Sequence, residues 1–149
     1  MHFLAKNEGV DHVNIFSRSK LELGRALSNF AYAPITLDSL GSFDSIEGLW
    51  FFLKTGDERL RRLSGFAAKS LGSSLPDNGS MGPIVFRNAI CIAIAEKVKQ
   101  HPRIGELLDQ CELPLTHYYV FGGTQIPAGY GWLVDAWELI RSSRRQAAK

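Results

Sequence analysis

Leu27-Ser28-Asn29-Phe30-Ala31, followed by Phe43-Asp44-Ser45-Ile46-Glu47-Gly48, decides how this chain is read. An Asn turn leads into an apolar helix that carries one carboxylate at its start. Glu47 and Lys54 stand at i and i+7, so a helix places both on one face. Trp50, Phe51 and Phe52 lie between them. A carboxylate and an ammonium framed by aromatics, against a core, form the centre of the functional reading.

The elements follow outward from that helix, which is expected from Ser45 to Lys54 with its stop at Thr55-Gly56. Asp57-Glu58 opens a second helix with Leu60, Leu63, Ala67 and Leu71 on one face and Gly72 as its stop. Residues 73–82, rich in Gly, Ser, Pro and Asn, read as a surface loop. Pro83 fits the first turn of a third helix, apolar on most sides from Ile84 to Ala95 and therefore expected to be central. His101-Pro102 ends it, and Ile104, Leu107 and Leu108 mark a short fourth helix. Upstream, residues 13–16 and 35–37 read as short strands around a loop from Gly24 to Pro34. Thr116 to Phe121 reads as extended, ending at Gly122-Gly123, and a last helix runs from Trp132 to Arg144. The expected fold class is α+β, predominantly helical, with short strands.

Composition sets the limits. The chain has 149 residues, enough for one domain over 1–149 with a sizeable core. Apolar residues make up 45% and charged residues 21%, an ordinary globular balance. No run approaches the roughly 18 apolar residues that span a bilayer. Met1 to Lys6 lacks the basic segment and long apolar core of a signal peptide. A cytoplasmic protein without membrane partners is expected. Cys91 and Cys111 lack metal spacing and read as reduced packing residues. A net charge of +2 does not by itself imply nucleic-acid binding. Arg59, Arg61 and Arg62, and Arg141, Arg144 and Arg145, form local clusters: solvated helix faces, or phosphate contacts. His12, His101 and His117 have no metal-ligand spacing.

Several motifs stand in a characteristic order. Ser28-Asn29-Phe30-Ala31 is followed by Ser45-Ile46-Glu47-Gly48 opening a helix, then Lys54. Ala67-Ala68-Lys69 with Gly72 comes next, then Lys97, Lys99, His101-Pro102 ahead of Leu107-Leu108. A glycine-rich segment and a closing Trp137-Glu138 helix with Ile140-Arg141 complete the set. In this order and spacing, from Asn14 to Arg141, the chain resembles the NADAR (YbiA-like) family. The resemblance implies a mostly helical domain that hydrolyses N-glycosidic bonds, with no metal or organic cofactor. It implies substrates such as phosphoribosylated intermediates of riboflavin synthesis, or ADP-ribose attached to guanine in nucleic acid. Where relatives often carry Glu-His-Tyr, this chain has Glu47-Gly48-Leu49, and the family's Asp and Trp-Gly pair is not cleanly preserved.

The residues support a matching chemistry. Breaking an N-glycosidic bond develops positive charge on the sugar while the departing nitrogen becomes electron-rich. A carboxylate beside the anomeric carbon stabilises that cation and activates water. Glu47 is the catalytic candidate; its plainer reading is a capping box with Asp44 as N-cap. Lys54, matching the family lysine, holds the carboxylate ionised or meets phosphate, or else answers the helix dipole. Asn29 binds sugar or base, or is a turn residue bonding its own backbone. Phe30 and Trp50 line a base pocket, or are plain core. Lys69 falls on the family's Ala-Lys pair, and the resemblance implies a phosphate contact secondary to that of Lys54. Tyr118, Tyr119, Gly122 and Gly123 form a second wall, Gly122-Gly123 approaching a diphosphate, or are a strand ending in a turn. Trp132 and Asp135 complete the candidate set. The expected activity is a cofactor-free N-glycosidase acting on an ADP-ribosylated nucleic acid or a nucleotide-like small molecule. The alternatives are cleavage of a riboflavin-pathway intermediate, a non-catalytic ADP-ribose or nucleotide-binding module, and a nucleic-acid protein using its arginines.

Overall fold

The computed structural model describes residues 2–149, so the part of the leader reading that rests on Met1 lies outside the described residues. Along the chain come β1 (Val13–Asn14), α1 (Glu22–Leu27), β2 (Ile35–Leu37), β3 (Gly41–Phe43), α2 (Ile46–Thr55), α3 (Gly65–Ser74) and α4 (Pro83–Gln100). Then follow α5 (Pro102–Gln110), β4 (Leu115–Thr116), β5 (Tyr118–Phe121), β6 (Thr124–Pro127) and α6 (Gly131–Ala147). Single 3₁₀ turns cover Ala5–Asn7 and Glu58–Arg62. This is a helix-rich α+β fold. The strands pair two by two: β1 with β4 parallel, β2 with β3 and β5 with β6 antiparallel. The chain divides into two compact units, Asn29–His101 and residues 2–28 together with Pro102–Lys149. None of the described helices is long and apolar enough to cross a membrane.

In the unit Asn29–His101, α2 buries Ile46, Leu49, Trp50 and Leu53, the i, i+3, i+4, i+7 stripe of an amphipathic helix. Gly56, at φ 76°, ends it in the left-handed conformation with its N–H on the Phe52 carbonyl. The single second helix expected from Asp57 to Gly72 is two elements. The Asp57 carboxylate accepts from the Arg59 N–H and closes only a 3₁₀ turn. Leu63 is then extended, and Gly65 takes φ 54° to enter α3. Gly72 is not a stop but an interior contact, because a Cβ there would overlap the Phe51 ring. The loop therefore begins at Leu75. Helix α4 packs against α2 and β2. It buries Ile90, Ala93, Ile94 and Val98, yet Ile84, Val85 and Ile92 are exposed, so it is not the all-round buried helix its sequence implied.

In the other unit, the loop expected from Gly24 to Pro34 instead begins inside α1, which runs from Glu22 to Leu27. Leu23 and Leu27 are buried, and Gly24 lies where any side chain would overlap the Asn14 carbonyl and the Ser19 hydroxyl. The buried Glu8 carboxylate accepts from the Asn14 N–H at 2.7 Å, the Ser19 hydroxyl at 2.7 Å and the Lys20 N–H at 3.1 Å. The extended run ending at Phe121 is split between β4 and β5, and β6 was not anticipated. Gly122 (φ 53°) and Gly123 (φ 81°) supply the two left-handed residues of a two-residue hairpin turn. Helix α6 extends three residues beyond Arg144, to Ala147.

Both arginine clusters are engaged within the protein. Arg59 pairs with Asp57 and Arg61 with Glu58, while the Arg61 guanidinium sits 4.6 Å from the Phe43 and Phe52 ring centres. Arg141 is buried and donates to the Cys111 and Leu113 carbonyls and to Glu138; Arg144 pairs with Asp109 at 2.8 Å. Arg145 donates to the Cys111 carbonyl. Cys91 and Cys111 are free thiols, both half-buried.

Candidate functional site

The start of α2 excludes the capping-box reading of Glu47. Ser45, not Asp44, is the N-cap: its hydroxyl accepts from the Gly48 N–H at 3.0 Å and donates to the Leu63 carbonyl at 2.8 Å. Glu47 thus occupies the second helical position and plays no part in a capping box. Asp44 instead faces Arg62 at 3.7 Å. What fixes the Glu47 backbone is the preceding Asn turn. The Glu47 N–H donates to the Asn29 carbonyl at 2.9 Å, and the Gly65 N–H donates to the Phe30 carbonyl at 3.1 Å. One two-residue segment thereby ties down the starts of both α2 and α3, which is why Asn29, Glu47 and Lys69 converge.

The electrostatics follow from that convergence. Burial pushes the Glu47 carboxyl up to about 7, against the downward pull of Lys69 and, more weakly, Lys54. Among the described residues no donor hydrogen-bonds the carboxyl. Asn29 does not bond its own backbone as a turn residue would: its Oδ1 is buried without a hydrogen-bond partner among the described residues. A buried acceptor without a partner costs stability, which marks this turn as a place for a polar contact.

Aromatics flank both ammonium groups. Lys54 Nζ lies 5.5 Å from the Trp50 ring centre and 5.3 Å from that of Phe86. Trp50 and Phe86 meet edge to face at 4.7 Å. Lys69 Nζ lies 6.0 Å from the Phe30 ring, which meets Phe66 edge-on at 5.1 Å. Trp50 is buried, Phe30 half-buried and Phe66 exposed. The loop after α3 is pinned to this end of α2 by the Asn78 N–H on the Lys54 carbonyl at 2.8 Å.

Asn29, Phe30, Glu47, Trp50, Lys54 and Lys69 are therefore brought together within one unit. Phe66 and Phe86 were missed by sequence reasoning; Phe66 precedes Lys69 by three residues on one helical face, which was the available signal. The remaining candidates belong to the other unit. Tyr118 is a core residue, its hydroxyl 2.8 Å from His12 Nε2. Tyr119 is half-buried, Gly122-Gly123 form the hairpin turn, Trp132 stands in the first turn of α6, and Asp135 is exposed on α6. Among the described residues, no group of three or more His, Cys, Asp or Glu side chains gathers as metal ligands would.

No family model matches the chain, and no curated protein matches it by sequence. Its structure is similar to the NMR structure of the Escherichia coli protein YbiA, with a TM-score of 0.68 and 20% identity. The match covers 93% of this chain and 87% of YbiA. The fold is thus YbiA-like.

Proposed function

We propose that this chain is an N-glycosidase acting on an ADP-ribosyl or ribosyl-phosphate substrate, with removal of ADP-ribose from guanine in nucleic acid as the leading version. The observation that carries the reading is the half-buried Glu47 carboxyl, pushed up to about 7 within reach of Lys69 and Lys54, at a helix start tied to the Asn29 turn whose Oδ1 is buried without a hydrogen-bond partner among the described residues. The YbiA-like fold and the NADAR resemblance support it.

The chemistry fits those groups. As the C1–N bond breaks, its electron pair leaves with the base, which takes up a proton, and the sugar becomes cationic. Ionised Glu47 stabilises that cation, accepts the proton of the water that attacks C1 and gives it up to solvent, which supplies the proton that the base takes up. A group titrating near 7 is suited to such transfer at neutral pH. Lys54 and Lys69 bind phosphate oxygens, Asn29 Oδ1 accepts from a ribose hydroxyl or a base N–H, and Phe30 and Trp50 border the flat base. The reaction is a hydrolysis and uses water as its second substrate.

The test is incubation with an ADP-ribosylated guanosine oligonucleotide, native protein beside Glu47→Gln, followed by mass spectrometry. Release of free ADP-ribose by the native protein alone supports the reading. Intact substrate that nevertheless binds overturns this version and favours a non-catalytic reader; phosphoribosylated riboflavin intermediates are then the next substrates to assay.

A further inference from the structure

The loop between α3 and α4 carries chemistry that the Glu47 site does not use. Residues 76–80, Pro-Asp-Asn-Gly-Ser, are exposed and lie outside every helix and strand. Of the chain's asparagines, only Asn78 is followed by a glycine. Asn7, Asn14, Asn29 and Asn88 precede Glu8, Ile15, Phe30 and Ala89, whose side chains crowd the next backbone nitrogen. Asn14 is also buried in β1, and Asn88 lies within α4, where the backbone is held in helical geometry.

A backbone nitrogen attacks the asparagine amide before it when nothing shields that nitrogen, a base takes its proton and donors hold the amide oxygen as it gains charge. Each condition is met in this loop. Gly79, at φ 65°, offers a nitrogen with no side chain beside it. Its N–H donates to Asp77 Oδ1 at 2.8 Å, so a carboxylate already holds the proton to be removed. Asn78 Oδ1 accepts from the Ser80 N–H at 3.0 Å and from the Ser80 hydroxyl at 2.7 Å. Those donors are placed to stabilise an oxyanion.

We propose that Asn78 is a self-modification site, converted to aspartate and isoaspartate through a cyclic imide with Gly79, with Asp77 as base and Ser80 as oxyanion donor. The Gly79 nitrogen gives its proton to Asp77 and bonds to the Asn78 side-chain carbonyl carbon. The bond from that carbon to the amide nitrogen breaks, and the departing nitrogen takes the proton from Asp77 and leaves as ammonia. Water then opens the imide at either carbonyl. One opening gives aspartate; the other gives isoaspartate, with the main chain routed through the side-chain carbon. Water is the only co-reactant. The Asn78 N–H bonds the Lys54 carbonyl at 2.8 Å, so the new negative charge arises on a loop tied to the end of α2. This goes beyond the glycosidase reading and does not depend on it.

An unstructured Asn-Gly pair also reacts, so the experiment isolates what the folded geometry adds. The full chain is incubated at mildly alkaline pH, folded and in urea, then digested with trypsin and analysed by mass spectrometry against a zero-time control. The peptide Ser70–Arg87 contains no other amide side chain, so conversion of amide to acid in it reports Asn78. The folded chain is expected to react at least as fast as the unfolded one, with both isomers resolved by chromatography. Asp77→Ser keeps an oxygen acceptor but no base; it slows the folded chain roughly tenfold, well within what a positioned base supplies, with little effect in urea. Asp77 is exposed in the loop, and thermal melting confirms that the variant folds. A folded rate below the unfolded one, aspartate as the sole product, or Asp77→Ser at the native rate overturns the proposal.

Discussion

At the scale of single residues, one proton on Glu47 sets a slope in stability and, in the proposed reaction, the pH dependence of activity. Below about pH 4.5 it is protonated in folded and unfolded chains alike. Between 4.5 and about 7 the unfolded chain ionises while the folded site holds its proton, so stability falls as pH rises. Glu47→Gln removes that slope. It is expected to raise stability by about 2 kcal/mol at pH 8 and to change little at pH 4.5, read from urea midpoints. This discounts the full shift because the carboxyl is only partly shielded from water. For the proposed reaction the sign reverses, since the ionised carboxylate is its working form: kcat/KM is expected to fall as pH drops below about 7. Lys69 is the stronger of the two charges lowering the Glu47 pKa, so Lys69→Met shifts that limb to higher pH. An unmoved pH–rate limb in Lys69→Met contradicts the assignment.

At the scale of elements, the site depends on how closely α2 and α3 approach. Helix propensity alone makes Gly→Ala inside a helix favourable by up to about 1 kcal/mol. Gly72→Ala in α3 is expected to do the opposite, costing about 2 kcal/mol, because the added Cβ meets the Phe51 ring of α2. Ser45→Ala loses the N-cap of α2 and is expected to cost about 1 kcal/mol, both read from denaturant unfolding. Gly72 also shows why part of the fold was hidden. A glycine late in an apolar pattern reads equally as a stop or as a close contact, and only the position of Phe51, in another helix, decides. Gly24 misled in the same way and concealed α1. Helix α2 with its stop at Gly56, the Pro83 helix start, the short helix marked by Ile104, Leu107 and Leu108 and the last helix were legible because each signal is local. The break at Leu63 was not, since it follows from tertiary ties such as the Gly65 N–H on Phe30. Within the site, the Glu47–Lys54 face followed from helical spacing. Phe66, Phe86 and the open Asn29 oxygen required the assembled helices.

At the scale of the whole molecule, two ionisable groups, the half-buried Glu47 and the buried Lys97, shape the dependence of stability on pH. Lys97 is fully buried on α4, and burial pushes its pKa down to about 7. Between about 7 and 10.5 the unfolded chain holds a proton that folded Lys97 lacks, so stability rises with pH. Glu47 contributes the opposite slope below 7, and the pair together give a dip in stability near pH 7. Urea unfolding from pH 5 to 9.5 is expected to show that dip in the native chain and a flatter curve in Glu47→Gln with Lys97→Met. The helix-rich α+β class was visible in the sequence because most of its elements are helices with local signals. The division into Asn29–His101 and a unit built from both ends of the chain was not, because it depends on long-range pairing such as Val13 with Leu115.

The most direct measurement is the turnover and substrate affinity of Glu47→Gln beside the native protein, with ADP-ribosylated guanosine as substrate. The expected result is a kcat lower by about 10²-fold or more, with the dissociation constant within about threefold of native. A kcat equal to that of the native protein contradicts a catalytic Glu47.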